Sequence, residues 1–174
     1  SSGFTLPQEG QYATGLVFLP RKADLQKACI ELCEAAIVTE GFSLIGWREV
    51  PVEPNALGSL ARKSAPYIAQ LFVGSTEKLE SRILERKLYV LRRIIEKQIA
   101  QSSILSDVMF HIPSLSSKTI VYKGLLLANQ IAEFYIDLSD ERLTSKFAVV
   151  HQRYSTNTFP SWQLAHPYRF LAHN

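Results

Sequence analysis

The stretch Arg153-Tyr154-Ser155-Thr156-Asn157-Thr158-Phe159-Pro160-Ser161-Trp162, with His173-Asn174 further on, gathers guanidinium, hydroxyl, amide and aromatic side chains in one short run. It is poor in aliphatic residues and follows directly on an apolar, strand-like segment. That change of composition marks backbone shaped to meet a ligand rather than to fill a core. Arg153 is the foremost candidate, since it falls where a predicted strand ends and a side chain is rigidly aimed. Taken from the residues alone, it is either a ligand-binding arginine or an exposed structural one. Other chemistries find less support. The histidines His111, His151, His166 and His173 form no metal-spaced pair, and a structural role suits each. There is no Gly-x-Gly-x-x-Gly, no phosphate loop and no Gly-x-Ser-x-Gly turn. Cys29 and Cys33 share one face of a predicted helix. They lie at the edge of disulfide reach, without the partners a zinc site needs, and read as small buried apolar residues. So few cysteines fit a reducing compartment.

The elements that must position these residues can be read from periodicity. Residues 11–19 form a strand stopped by Pro20. Residues 21–40 carry Leu25, Ala28, Cys29, Leu32, Ala36 and Ile37 at helical spacing, with Gly41 as the stop. Residues 42–50 and 67–73 read as strands, and the intervening 55–65 as irregular with one helical turn. Ser75 and Thr76 are N-cap candidates for a long amphipathic helix whose stripe is Leu84, Leu88, Leu91, Ile95 and Ile99. Residues 108–115 and 119–123 read as a hairpin around Ser116-Ser117-Lys118, residues 128–135 as a helix, and 146–154 as the strand leading to Arg153. Helices and strands come in blocks rather than in steady βαβ alternation, so the expected class is α+β with an antiparallel sheet.

Composition bounds the function. The 174 residues are 47% hydrophobic and 20% charged, with a net charge of +3, enough for one sizeable core. The densest basic group, Arg82, Arg86, Lys87, Arg92, Arg93 and Lys97, is interspersed with Glu80, Glu85 and Glu96. It reads as the wet face of a helix, and no nucleic-acid partner is expected. No apolar run approaches the roughly 20 residues of a membrane span, and no signal-peptide order is present. Residues 1–3 are taken as an appended remnant outside the fold.

Five segments then match one family in order. They are Leu6-Pro7 with Gly10-Gln11-Tyr12-Ala13 and Phe18-Leu19-Pro20; Gly46 to Val52; Glu85 to Val90; Ser114 to Gly124; and His151 to Trp162 with His173-Asn174. Together they resemble the class II glutamine amidotransferase domain of the glutamate synthase family. The resemblance implies an N-terminal-nucleophile hydrolase fold, an αββα sandwich incomplete here, with residues 4–174 a partial domain. It also implies chemistry: an N-terminal cysteine attacks the glutamine side-chain amide with its own α-amine as base, giving a glutamyl thioester and ammonia. A fixed guanidinium fork suits the planar α-carboxylate of glutamine, and the resemblance gives that role to Arg153. By the same resemblance the Asn174 amide belongs to the oxyanion hole, while Thr156 and Asn157 shape the glutamine pocket. Phe159 and Trp162 are assigned to packing of the loop, and His173 to its support.

In the family, ammonia passes to a separate barrel with FMN and an iron–sulfur cluster for reductive transfer to 2-oxoglutarate. No cofactor or metal is expected in this segment. The implied partners are glutamine, the remaining domains of glutamate synthase, and a reductase subunit or ferredoxin as electron donor. The implied location is the cytoplasm, or the plastid stroma in a photosynthetic eukaryote. The nucleophilic cysteine is expected before Phe4, the second oxyanion donor beyond Asn174, and the 174-residue polypeptide alone is expected to be inactive. A non-catalytic binding or scaffolding module is the alternative, and an interaction domain using the Leu84–Ile99 stripe a further one.

Overall fold

The computed structural model describes residues 3–152, 157 and 159–168. They fall into two compact units, Ser1–Glu49 with Pro66–Ile120, and Val50–Ala65 with Val121–Asn174.

The first unit is built on a three-stranded antiparallel sheet of β1 (Tyr12–Leu19), β2 (Phe42–Glu49) and β3 (Tyr67–Ser75), in the order β1-β3-β2. Alternate residues of the strands face helices α1 (Ala23–Thr39) and α3 (Ser81–Gln101). Ala13, Val17 and Leu19 of β1 and Ala69, Leu71 and Val73 of β3 pack with Cys29, Cys33 and Ile37 of α1 and with the α3 stripe. That stripe, Leu84, Leu88, Leu91, Ile95 and Ile99, is at most 4% exposed, so it is core and not a surface for a partner. Each such side chain contributes about 1.5–3 kcal/mol by leaving water. Gly41, at φ 76°, makes the left-handed turn from α1 into β2 that other residues adopt at a cost. Trp47 of β2 donates its indole N–H to Glu34 of α1 at 3.0 Å. Across the sheet, Arg48 donates to the Gln70 amide oxygen at 2.9 Å, and the Gln70 amide donates to the Thr14 hydroxyl at 3.0 Å. One side-chain string thus ties all three strands.

Several sequence expectations are corrected here. The α3 helix begins at Ser81 and not at Ser75 or Thr76. Ser75 is the last residue of β3 with its hydroxyl on the Glu77 carbonyl, and the Thr76 hydroxyl is spent on the Gly41 carbonyl, so neither caps. The hairpin over 108–115 and 119–123 does not form. Instead, His111 pairs with Phe18 and Ser116 with Thr14 through two isolated antiparallel bridges on β1. Three residues of β1 lie between the bridges and four of the other segment, so the pairing slips by one residue between them. Pro113, lacking an N–H, sits in that interval. The Ser114 carbonyl also lies where a Cβ on Gly15 would stand, 1.7 Å away, so only glycine admits this approach.

The second unit has little regular structure: α2 (Ser59–Ser64), α4 (Gln130–Phe134) and two single 3-10 turns, Pro54–Ala56 and Ile136–Ser139. A bridge between Val52 and Tyr135 joins its two chain segments, with the Glu53 N–H on the Phe134 carbonyl and the Ile136 N–H on the Pro51 carbonyl. Its centre is aromatic: the Tyr135 ring meets Tyr122 at 5.0 Å and Phe134 at 4.8 Å, both edge to face. The strand expected over 146–154 is not found in its described part, 146–152, which makes no strand pairing. Phe147, Val149 and Val150 there are exposed. Local β-propensity was the whole signal, and a strand also needs a partner.

Candidate functional site

The signature stretch is tied into the second unit at a few points that can be built residue by residue. Trp162 is the deepest. Its ring is fully buried, lies 5.6 Å from Phe134, and covers Gly124 so closely that a Cβ there would come within 2.5 Å of it. Its indole N–H donates to the Ala61 carbonyl at 3.2 Å, satisfying the one polar atom the burial would otherwise strand. The packing role expected of Trp162 is therefore seen. That expected of Phe159 is not, since its ring is 94% exposed. The difference is one of neighbours: Trp162 has Gly124, Phe134 and Ala61 around it.

Lys123 is the second tie and was not singled out by the sequence. It is 2% exposed, and its ammonium donates to the Gln163 carbonyl at 2.8 Å and lies 5.3 Å from the centroid of the Tyr168 ring. Its backbone carbonyl accepts the Tyr135 hydroxyl at 2.7 Å. Burial, and next the neighbouring Tyr122, hold that phenol well above its ordinary range, so it remains a donor at all working pH. Lys123 thus fastens the turn around Gln163 to the aromatic centre. In sequence it stands only as part of the string Tyr122-Lys123-Gly124 in one of the five matching segments. Nothing in its spacing marks a buried cation.

The third tie is a cluster of rings. His151 and His166 stack with centroids 4.3 Å apart, and Tyr168 meets His166 at 4.5 Å. Partial burial, followed by His151 and Lys123, lowers the His166 pKa from the ordinary 6.5.

Of the sequence-predicted site residues, Asn157 lies on an exposed turn. Arg153, Thr156 and Asn174, and also His173, lie outside the described residues. His111, in the first unit, forms its bridge to Phe18 and has its ring 5.9 Å from the Phe18 ring, a structural role. Cys29 and Cys33 are both buried and unpaired by disulfide. Burial pushes the Cys29 thiol up to about 11 and the Cys33 thiol further still. Neither holds an appreciable thiolate, the form a nucleophile or metal ligand requires. Among the described residues, no three His, Cys, Asp or Glu side chains are grouped to hold a metal, and no helix is long and apolar enough to cross a membrane.

The described geometry ties the downstream flank of the stretch carrying Arg153, Thr156 and Asn157 through Trp162 and Lys123, and its upstream flank touches that region through the ring of His151. Comparison with known proteins agrees with the motif reading. The family model for class-II glutamine amidotransferases matches residues 1–174. The chain is 45% identical over 170 residues to the glutamate synthase [NADPH] large chain of Bacillus subtilis, covering 97% of this chain and 11% of that one. It is 46% identical over 167 residues to the protein of the same name from Azospirillum brasilense, covering 95% and 11%. It is 42% identical over 160 residues to the chloroplastic/mitochondrial ferredoxin-dependent glutamate synthase 1 of Arabidopsis thaliana, covering 92% and 10%. The chain spans about a tenth of the length of these curated relatives.

Proposed function

The chain belongs to the class II glutamine amidotransferase family, and we propose that residues 4–174 are part of the glutamine-hydrolysing domain of a glutamate synthase. The observation that carries this reading is the 45% identity to a glutamate synthase large chain over 97% of the sequence. In this reading the domain has the αββα architecture of N-terminal-nucleophile hydrolases. The three-stranded sheet covered on one face by α1 and α3 supplies one α and one β layer.

The residues divide the work by chemistry. Arg153 places its planar fork on the α-carboxylate of glutamine, fixing the substrate by two parallel charge-assisted hydrogen bonds. Thr156 and Asn157 border the glutamine pocket. The Asn174 amide donates to the oxyanion as the side-chain carbonyl becomes tetrahedral, an interaction worth about 10²–10³ in rate for one donor. The nucleophile is a cysteine at a mature N-terminus, whose α-amine takes the thiol proton and returns it to the leaving ammonia. Cys29 and Cys33 are unsuited to that step, since both are buried within α1 and held protonated. A polypeptide of these 174 residues alone therefore has no glutaminase activity.

Ammonia then serves reductive glutamate synthesis from 2-oxoglutarate in other parts of the protein, where FMN and an iron–sulfur cluster supply the electron transfer. The residues here do not fit the cluster, because it is held by several thiolates and two buried thiols on one helix provide none. The electron donor is NADPH or NADH through a reductase subunit, or ferredoxin, and the compartment is the cytoplasm or the plastid stroma.

The test is made on the full-length protein that carries this segment. Purified, it should form two glutamates from one glutamine and one 2-oxoglutarate when given NADPH, NADH or reduced ferredoxin. A protein that binds glutamine without releasing ammonia would favour the non-catalytic module instead.

A further inference from the structure

We draw no further inference here: the strongest candidate, the side-chain cluster in which the buried Lys123 ammonium holds the Gln163 carbonyl beside the rings of Tyr168, His166 and His151, belongs to the site already described, since it acts only on the flanks of the stretch carrying Arg153.

Discussion

Arg153 owes its assigned role to the shape of its side chain. A lysine keeps the charge but not the fork, so Arg153→Lys in the full-length protein should raise the KM for glutamine about tenfold, and Arg153→Ala by about 10²–10³. In both, kcat should fall far less, because the carboxylate contact is equally present before and during the reaction. Equal losses in kcat with an unchanged KM, measured by ammonia release against glutamine concentration, would remove Arg153 from the carboxylate site. The burial of Trp162, a large ring among small and polar neighbours, was legible in sequence. Lys123 was not legible. Lysine is almost always exposed, and only the tertiary arrangement of Gln163 and Tyr168 around its ammonium makes a 2% exposed Lys123 tolerable. Phe159 failed in the opposite sense, because an aromatic side chain in a loop carries no local mark of whether anything covers it.

At the level of elements, what local periodicity controls was read well. The α3 stripe, the α1 stop at Gly41 and the three main strands follow from spacing and from glycine and proline positions. The segment 108–123 was misread because its conformation is decided by distant partners. One of these is Glu85 on α3. Its carboxylate accepts the Ser116 hydroxyl at 2.8 Å, the Ser117 N–H at 2.7 Å and the Ser117 hydroxyl at 2.9 Å. One ionised side chain therefore pins the turn that a hairpin would have used. Hydrogen bonds to a charged group contribute about 1.5–3 kcal/mol, so Glu85→Ala should lower the unfolding free energy by about 2–3 kcal/mol, and Glu85→Gln by about half as much. Urea unfolding of the full-length protein, monitored by hydrogen exchange at the Ser117 amide, measures both. Unchanged protection of that amide in Glu85→Ala would show that the turn holds itself.

For the molecule as a whole, family membership was legible because five separated segments match in order, whereas the two-unit organisation was not. The second unit is assembled from residues 50–65 and 121–174, and nothing local in either segment records that they return to each other. The exposed apolar residues also belong to this scale. Phe147, Val149 and Val150 are 76%, 61% and 81% exposed on a backbone without strand pairing, and Phe159 is 94% exposed. Unpaired extended backbone with apolar side chains is a template for pairing with another chain. The net charge of +3 opposes association only weakly. The 174-residue polypeptide should therefore self-associate as its concentration rises, with sedimentation velocity showing a growing share of larger species. Val150→Lys combined with Phe147→Lys places two charges on that segment and should return it to a single small species. The thermal unfolding midpoint should not move, because neither side chain contributes to the core. If association persists unchanged, the contact surface lies elsewhere; if the double variant unfolds, these side chains are buried in solution and the 146–150 segment has found its strand partner.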